Sequence, residues 1–134
     1  MHQPKALVPR NKHDLAAVNS AIAADWQVVQ PVFDQILEWT QDGNWPVAQR
    51  LYPWLITLGP DIAPYLRPIL LGPDACWTYF ILVCLIQRSN RLAKALLPEL
   101  QRMVDQPTPA EEAEGIPHEA RLAIEGATAS IDQE

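Results

Sequence analysis

A tryptophan-bearing turn occurs twice in this chain about one structural repeat apart, and that recurrence narrows the fold more than any other feature. Asp42-Gly43-Asn44-Trp45-Pro46 lies between two apolar helical segments, and Asp74-Ala75-Cys76-Trp77 brings the second tryptophan after a further pair of such segments. A proline inside an apolar segment precedes each turn, at Pro31 and Pro64, and Pro98 follows at a matching step. Steps of roughly 33 residues suit a two-helix unit that cannot bury its apolar face alone and stacks on the next unit to do so. The expected architecture is all-α: a short right-handed superhelix of antiparallel hairpins with six or seven helices over residues 11–131, preceded by a flexible arm at residues 1–10.

Composition supports a packed domain. At 134 residues, 49% apolar and 19% charged, the chain has the balance of a globular core and not of a disordered segment. Its most apolar run, Trp77 to Ile86, is half a membrane span at most. Met1 to Asp14 lacks the apolar stretch of a signal peptide, so a cytoplasmic location is expected. Cys76 and Cys84 are eight apart on one expected helix, roughly 12 Å along its axis. They cannot bridge each other and read as reduced core thiols.

Charge is uneven. Residues 99–134 carry nine acidic and two basic side chains, whereas residues 1–98 carry seven acidic and eight basic. An acidic end and a near-neutral body argue against broad nucleic-acid binding, which needs a basic footprint. A solvated acidic face that aids solubility accounts for the imbalance without any partner.

The helices are delimited by their caps. Asn11 and Asp14 sit at the start of a first helix over residues 12–24, and Asp25 is placed to cap a second over residues 26–41. Asn44 is placed to cap a third, with Pro46 in its first turn and Leu58-Gly59-Pro60-Asp61 closing it. The same four letters return at Leu71-Gly72-Pro73-Asp74, leaving room for a three-turn fourth helix. Residues 74–87 are apolar nearly all round, as for a helix covered on more than one side in the middle of the domain; a buried strand is the competing reading. The Asp74 cap favours helix. A sixth helix spans residues 90–105, Thr108-Pro109-Ala110-Glu111 forms a capping box, and a last helix covers residues 117–129. Pro31, Pro53, Pro68 and Pro98 fall inside these segments and should bend them.

Residues 37–59 resemble a HEAT repeat, with Asp42, Val47, Ala48, Arg50, Leu58 and Gly59 at the matching positions. The second unit departs from that pattern: Thr78 and Tyr79 replace the valine region and the basic residue is absent. Pro9-Arg10-Asn11-Lys12-His13-Asp14, Asp42 to Ala48 and Asp74 to Tyr79 together resemble the motifs of a small bacterial family, domain of unknown function 5071, over about residues 8–130. The resemblance implies an all-helical, HEAT-like fold in a bacterial cytoplasmic protein and brings no activity, substrate or catalytic residue.

Side chains that carry chemistry are sparse. His2, His13 and His118 are scattered, and the sequence holds no zinc-type cysteine pair, phosphate loop or nucleophile elbow. No metal, cofactor or catalytic residue is expected, and the chain is read as a non-enzyme. One constellation remains. Helix starts on one edge of a repeat stack lie close together, so His13, Asp14, Asp42, Asn44, Trp45, Arg50, Asp74 and Trp77 could form a polar ridge with exposed aromatics. As a binding ridge it would take another protein or a peptide, since Trp and Arg supply much of the energy at such surfaces. As scaffold, Asn44 and Asp74 are caps and the tryptophans wedge hairpins apart. The chain is thus expected to be a protein-interaction module, such as an adaptor or a partner-neutralising protein. The alternative is a small enzyme or nucleic-acid-binding protein on a HEAT-like scaffold, which would need a basic groove around a buried, pKa-shifted carboxylate.

Overall fold

The computed structural model describes residues 4–132, and every regular element among them is helical. The α-helices are α1 (Leu15–Ala23), α2 (Trp26–Val29), α3 (Phe33–Leu37), α4 (Pro46–Leu58), α5 (Ala63–Leu70), α6 (Ala75–Cys84), α7 (Asn90–Ala95), α8 (Leu97–Asp105), α9 (Pro109–Ala113) and α10 (Ile116–Asp132). Short 3-10 turns join many of them, at Gln30–Val32, Glu38–Thr40, Gly59–Ile62 and Ile86–Arg88. The chain divides into two compact units, Met1–Trp54 and Leu55–Glu134.

Proline explains most of the breaks. The second expected helix is four pieces, because Pro31 supplies no amide for the ladder and the chain tightens into a 3-10 turn there. The sixth is split at Leu96, so that Pro98 lies in the first turn of α8, where a missing N–H costs least. Pro53 and Pro68, by contrast, stay inside α4 and α5.

Several expected caps are replaced by neighbours. Asp14, not Asn11, caps α1 by accepting from the Ala17 amide at 3.3 Å, while Asn11 Oδ1 accepts from the His13 amide at 2.9 Å. Asp25 makes no side-chain cap, and Ser89 caps α7. Asn44 is displaced as a cap because α4 begins at Pro46, with the Trp45 carbonyl accepting from the Gln49 amide at 3.0 Å. Asp74 caps α6 and Thr108 forms the full capping box of α9. Of the two Leu-Gly-Pro-Asp copies, only the first uses left-handed glycine: Gly59 has φ +67°. A Cβ on Gly72 would instead lie 3.2 Å from the Pro68 carbonyl oxygen, so glycine there permits a close backbone approach.

Burial recurs at 15-residue steps. In nine-residue windows starting at Val32, Val47, Ile62 and Leu92, the first, second, fifth and ninth residues are buried and the seventh is exposed. Three windows share one pattern of residues. Val47-Ala48, Leu51, Pro53 and Leu55 correspond to Ile62-Ala63, Leu66, Pro68 and Leu70, and to Leu92-Ala93, Leu96, Pro98 and Leu100. The spacing puts the apolar residues on one helix face and the proline on the solvent side, where the carbonyl it leaves unpaired can turn to water. The window at Trp77 keeps Thr78, Ile81 and Leu85 buried, which aligns Trp77 with Val47 and not with Trp45. Two such steps are shorter than the interval from Trp45 to Trp77 or from Pro31 to Pro64.

In the first unit, Leu7, Val18, Phe33, Ile36, Leu37 and Leu51 are fully or almost fully buried. Leu7 belongs to a 3-10 turn at Pro4–Leu7 that packs against α1, so the segment expected as a loose arm carries a core residue; residues 1–3 lie outside the described part. Tyr52 Oη donates to the Thr40 carbonyl at 2.8 Å, both residues buried, fastening the last 3-10 turn before the Trp45 loop to α4. In the second unit, α10 is the hub and packs on α8, α7 and α6. The α6 helix buries Ala75, Thr78, Ile81 and Leu82 and leaves Trp77, Tyr79, Phe80 and Val83 half-buried, so it is a helix of two unequal faces and not one covered all round. Its thiols are not core thiols: Cys76 is exposed and Cys84 half-buried, with burial pushing the Cys84 thiol above its ordinary pKa.

Candidate functional site

Two of the expected turns come together in the first unit. The Val47 amide, one residue into α4, donates to the Lys12 carbonyl at 3.1 Å, which sets the loop before α1 beside the Trp45 loop. Each loop is organised by its own aspartate. Asp14 accepts from the Arg10 amide at 3.0 Å and faces the Arg10 guanidinium at 3.7 Å. The Arg10 amide is the main cause of a carboxyl pKa below the ordinary value, with partial burial opposing it and the Ala17 amide and the Arg10 charge adding to it. Asp42 accepts from the Asn44 amide through its carboxylate at 2.9 Å and from the Trp45 amide through its carbonyl at 3.1 Å. These bonds fold the loop so that Asn44 is exposed while Trp45 is half-buried.

Trp45 packs on Trp39, their ring centroids 5.7 Å apart at an interplanar angle of 54°. A second aromatic group in the same unit joins Trp26 to Phe33 and Phe33 to Trp54, with centroids 4.9 and 6.1 Å apart, both edge-on. Arg50 is exposed, one turn along α4 from Val47, and its Nε donates to Asn19 Oδ1 on α1 at 3.0 Å. His13 and Lys12 are exposed as well. The first unit thus assembles His13, Asp14, Asp42, Asn44, Trp45 and Arg50 around the α1–α4 contact. Asp74 and Trp77 belong to the second unit. There the exposed Asp74 accepts from the Trp77 amide at 3.0 Å, and Trp77 is half-buried.

Sequence reasoning missed Lys12, Asn19 and Trp39. Lys12 lies within the quoted motif before α1 but touches the site through its carbonyl, which no residue pattern announces. Asn19 falls on the exposed side of α1, where a polar residue needs no explanation. Trp39 follows the α3 core residues at the spacing of a surface position and becomes visible only when Trp45 lands on it.

An open cleft of about 460 Å³ is lined by Ala6, Val8, Arg10, Asp14, Ala17 and Ser20, with Asp14 already committed to its cap. In the second unit a shallow apolar groove of about 400 Å³ runs between Leu71-Gly72-Pro73 and Thr108 to Glu111. Among the described residues no group of three or more His, Cys, Asp or Glu is placed to hold a metal ion, and no helix is long and apolar enough to cross a membrane.

No match was found among curated proteins. A family model described as "Domain of unknown function (DUF5071)" matches residues 7–124, which takes in both expected turns and most of α10. With so much of its length covered, the chain belongs to the DUF5071 family.

Proposed function

We propose that this chain is a non-catalytic protein-interaction module built on HEAT-like stacked hairpins, and that the first unit presents its binding surface. The observation that carries this reading is the bond from the Val47 amide to the Lys12 carbonyl. It sets the loop of exposed His13 beside the loop of exposed Asn44 and half-buried Trp45, while exposed Arg50, further along α4, bonds to Asn19 on α1. An arginine and a tryptophan held by their own local bonds lose little freedom when a partner docks, which is how such residues come to dominate interface energetics. The stacked-hairpin part of the reading is supported by the 15-residue recurrence of burial. It is supported too by side-chain bonds that reach about one two-helix unit along the chain: Asn19 with Arg50, Arg67 with Glu99 and Gln87 with Glu119. Asp74 and Trp77 make a capped helix start of their own in the second unit.

A photo-cross-linking amino acid at Asn44, compared with the same group at exposed Arg91, tests the proposal in the source cells. The expected result is a defined protein adduct from position 44 that disappears in Trp45→Ala and Arg50→Ala variants whose melting temperatures are measured alongside. Equal labelling from both positions, or loss of the adduct only in proportion to unfolding, would overturn it.

A further inference from the structure

We propose that the apolar groove between the starts of α6 and α9 docks a basic polypeptide segment of a partner, through one large apolar side chain flanked by Lys or Arg. The site lies in the second unit and stands independently of the surface around Trp45. Leu71, Pro73 and Ala75 form one wall and Pro109 and Ala110 the other, around a space of about 400 Å³. Leu71 is 70% exposed, more than any other large apolar side chain among the described residues. Both walls are already ordered. Asp74 accepts from the Trp77 amide at the start of α6, Thr108 closes the capping box of α9, and each wall holds a proline. Walls that lose little freedom on docking leave more of the contact energy as affinity.

Charge selects the occupant. Residues 68–87 carry Asp74 as their sole formal charge, and residues 103–120 carry five acidic side chains and no Lys or Arg. Glu111 lines the groove but is matched by Arg102, as Glu99 is by Arg67. Asp74 and Glu112 are exposed and make no ion pair. Asp74 lies between the lining residues Pro73 and Ala75, and Glu112 follows Pro109 by three positions on α9, on the same face. The second unit holds eleven acidic residues against six basic ones, so the wider field has the same sign. An anion is disfavoured in a further way. The Trp77 and Glu111 amides, which would serve it at the two helix starts, are taken by Asp74 and Thr108. Basic residues alone could settle anywhere on this acidic surface; the apolar side chain seated against Leu71 fixes where they land.

A fluorescein-labelled hexapeptide, Lys-Lys-Leu-Phe-Lys-Lys, is the probe, titrated at low salt beside Lys-Lys-Ser-Ser-Lys-Lys and Glu-Glu-Leu-Phe-Glu-Glu. The basic apolar peptide is expected to bind at least about fivefold more tightly than either comparison. Leu71→Ser should weaken it about fivefold or more. Asp74→Asn/Glu112→Gln should weaken it about threefold or more and flatten its salt dependence, the asparagine keeping the α6 cap. Asp61→Asn/Glu125→Gln, an equal change of charge at exposed positions outside the groove, should stay within about twofold of the parent. Melting temperatures taken alongside separate lost affinity from lost folding; should Asp74→Asn unfold, Glu112→Gln alone carries the charge comparison. Equal loss in the two double variants, equal binding of the serine peptide, tighter binding of the acidic peptide, or Leu71→Ser without effect each overturns the inference. So does an absence of binding by the basic apolar peptide up to about 1 mM. Sedimentation equilibrium of the chain alone examines the other occupant: a dimer that Leu71→Ser dissolves would make a second copy the ligand and overturn the inference as well.

Discussion

Arg102 and Glu111 meet through two parallel hydrogen bonds, each 2.7 Å long, that tie α8 to the first turn of α9. Glu111 also accepts from the Thr108 amide, so one carboxylate closes a capping box and an ion pair together. Its side chain is only 7% exposed and that of Arg102 30%.

Removing the cation alone should therefore be expensive. Arg102→Met leaves a buried carboxylate with the Thr108 amide but no countercharge, and we expect a loss of about 3 kcal/mol in urea unfolding. Replacing both partners, with Glu111→Leu added, should recover part of that loss, because the uncompensated charge is gone. A double variant as unstable as Arg102→Met would contradict this account.

Acid sensitivity follows from the same pair. The hydrogen bond from Arg102, helped by the Thr108 amide and opposed by burial, holds the Glu111 carboxyl below its ordinary value of 4.5. Folding thus stabilises the ionised form. The contribution is complete above about pH 5 and is lost as pH falls below 4.5 towards the folded-state value. Glu111→Gln should be less stable at neutral pH yet show a shallower decline between pH 5 and pH 3, read as unfolding midpoints across that range. Asp14, lowered chiefly by the Arg10 amide, adds a decline in the same direction.

The 15-residue recurrence separates core leucines from surface ones. Leu66 is fully buried at the fifth position of its window, whereas Leu71, just past the ninth, is 70% exposed. Leu66→Ala is expected to cost about 2–5 kcal/mol and Leu71→Ala less than about 0.5 kcal/mol. Chemical denaturation of the two variants checks the contrast, which vanishes if the register is misplaced.

Gly59 occupies the left-handed region at φ +67° with open space where a Cβ would go. Gly59→Ala is expected to lose about 1 kcal/mol, for conformational reasons alone. Gly59→Asn should recover much of it, because asparagine tolerates that region. Thermal melts of the three proteins test the order.

Tyr52 anchors the Thr40 carbonyl in a dry setting, so Tyr52→Phe takes a donor away from that acceptor and should cost about 1–2 kcal/mol. Amide exchange around Gln41 and Asp42 should speed up in this variant before the rest of the first unit, since the bond fastens the loop that carries Trp45. Uniform acceleration across the unit would count against a local role.

Elements specified by nearby residues were legible in the chain: the Asp74 cap that decided helix over strand at α6, the Thr108 box and the Gly59 stop. Where several residues compete for one task, the reading slipped. Asn11 and Asp14 both qualify as caps, and Asp14 takes the task because it accepts from the Ala17 amide while Asn11 Oδ1 is occupied by the His13 amide. Tryptophan and proline are the loudest letters of the expected repeat, whereas burial follows the quieter Val47-Ala48, Ile62-Ala63 and Leu92-Ala93 pairs. Within the candidate site, the residues gathered in the first unit could be named because helix starts share an edge. The Lys12 carbonyl and the Trp39 ring could not, because a backbone acceptor and a ring that gains meaning from its neighbour leave no spacing to read.

The side-chain bonds between helices of the second unit reach only a short way along the chain, as with Arg67, which meets both the Ala95 carbonyl and Glu99. A chain stitched at such short range closes only small loops as it organises, and the entropic cost of each closure rises slowly with length. During synthesis Arg67 therefore meets its partners once α7 and the first turn of α8 have left the ribosome. The second unit as a whole still waits for α10, the common neighbour of α6, α7 and α8.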